Sequence, residues 1–148
     1  MGLICVHEPS PRWDARKQRI VGDAPASTFS GDWSAAREEG SLIPGDWWRI
    51  EEDGETVGYG WMDVTWGDAE ILLATAPESR RHGIGSYILE QLGHIATERG
   101  LNYLYNVVPA EHPDAASVSA WLEKRGFVPA EDGRLLRATA AAARTANG

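Results

Sequence analysis

Hydrophobic and polar positions fall into two alternating rhythms along the chain. Leu3 to Val6 is a short apolar run that reads as a first strand. Ser10-Pro11 has the form of an N-cap followed by proline at the first helical position. It predicts a helix to about Val21, with Trp13 and Ile20 inward and Gly22 as its end. Residues 23–31 are dominated by Pro, Ser, Thr and Gly and read as loop, after which Asp32 caps a short helix over Trp33–Glu39. The period then drops to two. Trp47–Glu51 is a strand, Asp53-Gly54 a type I′ turn, and Thr56–Trp66 the return strand. Alternation places Val57, Tyr59 and Trp61 on one face and Gly58, Gly60, Met62 and Val64 on the other. The two strand glycines mark close approach of another backbone or a ligand. Gly67-Asp68 turns the chain into a central strand at Ala69, whose apolar run Ile71–Ala76 is stopped by Pro77, which has no N–H for a ladder.

The helical period returns at once: Ile88, Leu89, Leu92, Ile95 and Ala96 line one side of an amphipathic helix that Gly100 closes. Between strand and helix lies Arg80-Arg81-His82-Gly83-Ile84-Gly85. A strand entering a helix through such a loop points unpaired N–H groups outward, and the helix dipole adds partial positive charge there. The pair of effects makes an anion site suited to phosphate. Gly83 and Gly85 let a ligand approach the backbone, and Arg80 and Arg81 add fixed charge.

Beyond it, Asn102–Val108 reads as a strand reached across a helix, so it lies parallel to Ile71–Thr75. Residues 109–113 are loop. Asp114 caps a helix from Ala115 to Arg125 that Gly126 ends, and Phe127-Val128 and Leu135-Leu136 are short strands around the Asp132-Gly133 turn.

The loop is not a P-loop, because no Lys-Ser/Thr follows the second glycine. It is not the dinucleotide fingerprint either, since position 88 is Ile. It fits R-x-x-G-x-G through Arg80, Gly83 and Gly85, and Trp121-Leu122-Glu123-Lys124-Arg125-Gly126-Phe127 matches a closing helix ending in E-K-x-G-F. In these motifs and their separation the chain resembles the GNAT N-acetyltransferase superfamily, over about residues 45–137. The resemblance implies an α/β (α+β) fold: a single GNAT domain over residues 1–137, its mixed and mostly antiparallel sheet flanked by helices on both faces, with 138–148 a flexible tail. It implies acetyl-CoA as co-substrate and no metal. It further implies that Leu73, Ala74 and Thr75 bond the pantetheine amides, while Arg80, Arg81, His82, Gly83, Ile84, Gly85 and Ser86 enclose the diphosphate. The helical part before residue 40 forms one wall of the acceptor site in such proteins.

Acyl transfer to an amine needs a neutral nucleophile, a polarised thioester carbonyl and a stabilised leaving thiolate. Glu70 is the first candidate base: alternation sets it with Leu72 and Ala74, where partial burial raises a carboxyl pKa. Glu111 and His112 are the next candidates. The sequence departs from the family pattern at the general acid. Leu122 stands where many members carry tyrosine, and Ala115 where an asparagine often begins that helix. Either Tyr105 or a water then takes the role, or the thiolate leaves unassisted, or the chemistry is weak or absent. Tyr103 and Tyr105 alternate onto one face, with core packing the expected role of at least one.

Composition narrows the partners. The 148 residues suffice for one domain with a real core. No apolar run is long enough for a membrane span, and the N-terminus lacks the basic and apolar regions of a secretory signal. The single cysteine, Cys5, suits a reducing cytoplasm. A net charge of −8 argues against nucleic acid. No Lys or Arg lies between Arg49 and Arg80, whereas Glu51, Glu52, Asp53, Glu55, Asp63, Asp68, Glu70 and Glu78 do, which favours a cationic acceptor if some of them line the cleft. Trp47, Trp48, Trp61 and Trp66 cluster around the hairpin and read mostly as core. The expected activity is acetyl-CoA-dependent acylation of a small-molecule primary amine by direct transfer. The alternatives are a non-catalytic acyl-CoA-binding module or an enzyme acting on protein N-termini or lysines. A homodimer is compatible with the sequence.

Overall fold

The computed structural model describes residues 2–22, 38–76, 83–108 and 115–140. Residues 33–37 of the expected helix over 33–39, the loop residues Arg80, Arg81 and His82, and Glu111, His112 and Asp114 lie outside the described residues, while Glu38 and Glu39 are not helical.

Strands β1 (Leu3–Glu8), β2 (Asp46–Glu52), β3 (Glu55–Thr65) and β4 (Asp68–Thr75) form a consecutive antiparallel run. Helix α2 (Ile84–Glu98) then crosses to β5 (Tyr103–Asn106), which pairs parallel to β4, as a crossover requires. Helix α3 (Ala115–Glu123) leads to β6 (Val128–Pro129) and β7 (Leu135–Ala138). The sheet order is β1-β2-β3-β4-β5-β7-β6, so the expected mixed, mostly antiparallel sheet is present.

Helices α2 and α3 share one face. Ile84, Ile88, Leu89 and Leu92 of α2 and Leu122 of α3 pack with Trp48, Ile50, Met62, Ile71 and Leu73 of the sheet. The other face is covered by Trp13, Ile20 and Val21, over Trp47, Tyr59, Trp61, Leu72 and Ala74. Gly58 and Gly60 explain how closely α2 sits on β3. A Cβ at Gly60 would lie 2.9 Å from Ile88 Cγ2, and one at Gly58 2.9 Å from the backbone carbonyl of Ala74 on β4 and 3.0 Å from Ile88 Cδ1. The close neighbours are therefore the helix and, at Gly58, the backbone of the next strand.

Several expectations need correction. The helix near residue 11 starts later, as α1 (Ala15–Lys17) running into a π-helical turn over Gln18–Gly22. Asp14, not Ser10, is its cap, with Oδ1 accepting from Lys17 N at 2.8 Å. The reason is that the preceding backbone is already engaged: Trp13 N donates to Ser41 O, and Pro11 O accepts from Ile43 N. Val57 does not share a face with Tyr59 and Trp61. Ile50 opposes Gly58 while Glu51 opposes Thr56, so Val57 is the extra residue of a β-bulge and turns into the α2 cluster. Trp47, Trp48 and Trp61 are core, but Trp66, at φ 54 in the β3–β4 turn, is 96% exposed. At the end of the described residues, Ala138 pairs with Tyr103, and buried Thr139 donates its hydroxyl to Leu101 O.

A charged group sits inside the second cluster. Lys17 is 1% exposed, its Nζ 2.7 Å from Glu8 Oε1 and 5.1 Å from the Tyr59 ring centre. Arg49 bridges Glu8 and Glu51 in turn. One acidic residue of the basic-free stretch, Glu51, is thus committed to a structural network. Among the described residues no helix is long and apolar enough to cross a membrane.

Candidate active site

The site is built where β4 outruns its parallel neighbour. Asp68, Ala69 and Glu70 pair with Tyr103, Leu104 and Tyr105, and there the ladder ends, although β4 continues to Thr75. One residue on, a side chain makes the bond that the backbone no longer makes: Asn106 Nδ2 donates to Ile71 O at 2.8 Å. Ile71 thus turns its carbonyl towards β5, and by strand alternation the backbone of Leu73 and Thr75 faces the same side.

Three titratable side chains lie in one row across the strands on the face opposite α2: Asp63 beside Glu70, and Glu70 beside Tyr105. Burial first, then the Asp63 charge, raises the Glu70 carboxyl above its ordinary value. Burial also raises the Tyr105 phenol. Glu70 adds to that effect, and Arg134, 5.0 Å from the ring centre, opposes it. Tyr103 is 40% exposed and Tyr105 only partly buried, so neither tyrosine is the core residue the alternation suggested.

A Cβ on Gly85 would stand 3.8 Å from Leu73 Cδ1, so against the same stretch of β4 lies the start of α2. Gly83 is its N-cap at φ 77, ψ 9, with no side-chain cap. An L-residue is strained in that region, yet a Cβ there would meet nothing within 4 Å. The amides of Ile84, Gly85 and Ser86 follow, without acidic residues in the first turn. A Cβ on Gly85 would stand 3.2 Å from Trp121 Cζ2, so its missing side chain also admits α3.

Arg125 completes this corner and was not singled out from the sequence. Its guanidinium donates twice to Ser86 Oγ, at 2.9 and 3.1 Å, and once to Trp121 O at 3.0 Å. It lies 3.9 Å from the Trp121 ring centre. The one signal for it was its place in Glu123-Lys124-Arg125-Gly126-Phe127. Leu122, at the position of the missing tyrosine, is 0% exposed and packed in the core. The structure therefore brings together Glu70, Tyr105, Leu73, Ala74, Thr75 and the start of α2, while Arg80, Arg81, His82 and His112 fall outside the described residues.

A strand pair that parts beside a helix N-terminus suits an extended ligand with an anionic end. Comparison with known proteins identifies the family. The model of the acetyltransferase (GNAT) domain family matches residues 44–129, more than half of the chain. No curated protein sequence matches significantly. Among solved structures, the ribosomal-protein-S18-alanine N-acetyltransferase of Escherichia coli is 18% identical over 92% of this chain and 93% of its own, with TM-score 0.56. The N-acetylglutamate synthase of Neisseria gonorrhoeae, complexed with coenzyme A and L-arginine, is 20% identical over 64% of this chain, with TM-score 0.56. The match spans only 24% of its own length. A phosphinothricin acetyltransferase of Sinorhizobium meliloti in complex with acetyl-CoA is 20% identical, covering 64% of this chain and 61% of its own, at TM-score 0.54. At these identities the structures speak to the fold, and the family match carries the assignment: this chain belongs to the GNAT family of acetyl-CoA-dependent acetyltransferases.

Proposed function

We propose that the chain acetylates a small primary amine by direct transfer. The acceptor enters over the face that carries Asp63, Glu70 and Tyr105, and the thioester lies in the gap between β4 and β5. The observation that carries this reading is the end of the β4–β5 ladder at Glu70 and Tyr105, which leaves titratable groups beside the only parallel strand pair among the described residues.

The residues present fit acetyl-CoA. An uncapped first turn, the open side of Gly83 and the held guanidinium of Arg125 supply donors and positive charge for a diphosphate. Arg80, Arg81 and His82 belong to the same assignment through the loop motif. The backbone of Leu73, Ala74 and Thr75 lies along the arm. When bound, acetyl-CoA supplies an activated acyl carbon and a thiol leaving group.

Glu70 takes a proton from the acceptor ammonium, directly or through one water, so that the amine lone pair is free to attack. A carboxyl raised by burial is a stronger base than a solvated one, which suits that role. Tyr105, next to Glu70 in register, holds the hydroxyl proton that can pass to the leaving sulfur. Leu122 cannot, since it has no proton to give and is packed in the core. His112 remains an alternative carrier. The Asp63–Glu70 pair favours a cationic acceptor over an acidic one.

Continuous detection of free thiol, with acetyl-CoA and a panel of small amines set against peptides with free N-termini or lysines, tests this. Turnover with small cationic amines is expected. Turnover on peptides alone would replace the acceptor class.

A further inference from the structure

A cleft of about 250 Å³ opens on the α2 side of the sheet, away from the candidate active site. Glu90, Gly93 and His94 in the middle of α2 line one side, and Arg137 of β7 lines the other, with Leu104 of β5 beside it. Leu104 and Arg137 are cross-strand partners, so both belong to the face that α2 covers, whereas Glu70 and Tyr105 belong to the opposite one. Gly93 stands ten positions after Gly83, which is about 15 Å along the helix from the proposed diphosphate corner.

Two features of the cleft have no use in the fold. The first is the Arg137 guanidinium, which carries five N–H donors. Among the described residues it makes one long hydrogen bond, from Nη1 to Arg125 O at 3.4 Å, and stands 6.0 Å from the Phe127 ring centre. Glu90 lines the same cleft but lies near His94 rather than pairing with Arg137. The second is Gly93, since glycine inside a helix lowers its stability relative to alanine. A Cβ at Gly93 would make ordinary contacts, 3.5 Å from Arg137 Nη2 and 3.9 Å from Leu104 Cδ1. Packing therefore tolerates alanine. What the extra methyl would take is space beside the guanidinium.

The chemistry of the lining selects the ligand. A planar guanidinium with parallel N–H groups fits a carboxylate bidentately. The threonine hydroxyls of the cleft already donate, Thr97 to Gly93 O and Thr139 to Leu101 O, which leaves Arg137 as its main donor. The Glu90 charge disfavours a dianion. Sites for drug-sized ligands run from about 300 Å³ upward, so this one takes a smaller molecule.

We propose that the cleft is a second ligand site, for a small monocarboxylate. The carboxylate lies on the Arg137 guanidinium, and a short apolar body lies against Leu104 and the bare backbone of Gly93. The site is separate from the bed of acetyl-CoA and does not depend on which amine is acetylated.

Titration of the 15N-labelled full chain at constant, low ionic strength, read at the amides of Gly93, His94 and Ala138, tests this with butyrate, L-valine, n-butylammonium and inorganic phosphate. Butyrate should shift these amides saturably, and equally well with CoA at saturation. n-Butylammonium, an apolar chain without a carboxylate, should not. Both carboxylates fit the proposal: tighter valine identifies an amino acid as the source, tighter butyrate a simple acid. Gly93→Ala should melt no lower than wild type yet raise the Kd of butyrate about threefold or more, and Arg137→Gln about tenfold. Should Arg137→Gln not fold, Arg137→Lys, which keeps the charge and loses the fork, takes its place. The proposal is overturned by the absence of a saturable shift with either carboxylate, by phosphate or n-butylammonium binding as tightly, by displacement of butyrate by CoA, or by full affinity in the folded variants.

Discussion

Glu70 on β4 and Tyr105 on β5 are the final cross-strand pair before the two parallel strands separate. The candidate base and the candidate acid therefore stand side by side at the mouth of the gap, on the face away from α2. Their chemistry is coupled, because the Glu70 charge helps to raise the Tyr105 phenol.

Glu70→Gln should lower kcat by about 100- to 10,000-fold, the usual contribution of a general base, with little change in acetyl-CoA affinity. A variant that keeps wild-type turnover and the same acid limb in its pH–rate profile removes Glu70 from the mechanism. Stability gives an independent reading. The folded carboxyl titrates above its ordinary value of 4.5, so between the two values the native state binds more protons than the unfolded one. Stability contributed by Glu70 is thus present below that range and lost as the pH rises through the folded pKa. Glu70→Gln should gain in Tm relative to wild type as the pH moves from 4 to 7.5, in melts run at about those values.

Gly83 separates strain from charge. Gly83→Ala meets no neighbour, and its φ of 77 should cost stability of about 1–2 kcal/mol while CoA still binds. Gly83→Glu adds a carboxylate at the helix start and should weaken CoA by a further factor of about ten or more. Equal affinity in the two variants, measured by calorimetry, would show that no anion sits there.

Arg125 links the two helices and offers charge at the same corner. Arg125→Gln should raise the Kd of CoA about five- to tenfold and flatten its dependence on salt. A change in Tm alone, with affinity and salt dependence kept, would make Arg125 a strut between α3 and Ser86.

Lys17 tests the opposite face. Lys17→Met leaves Glu8 without its buried ammonium and removes the cation from over Tyr59. Urea unfolding should show a loss of about 3 kcal/mol, at the lower end for a broken buried pair because Arg49 still meets Glu8. Unchanged stability would mean that the aromatic pocket closes on methionine as well as on the lysine.

Periodicity and turn chemistry carry a long way in this chain. The hairpin at Asp53-Gly54, with φ 52 and 84, the central strand, the amphipathic helix from Ile84 and the glycine at its start are all local features. Each depends on residues within a turn or two of one another, so the order of residues alone determines them. The anion-binding character of Gly83–Ser86 follows for the same reason, being a property of any exposed helix start.

What tertiary structure decided is each relationship that joins distant segments. Asn106 meets Ile71, and Arg125 meets Ser86, across 35 and 39 positions. The bulge that turns Val57 over, the tryptophan lying on Gly85 and the burial of Leu122 belong to the same group. No period or spacing encodes these contacts. They arise when two elements, each stable in outline, settle at the one separation that fills the core and leaves the fewest buried polar groups unpaired.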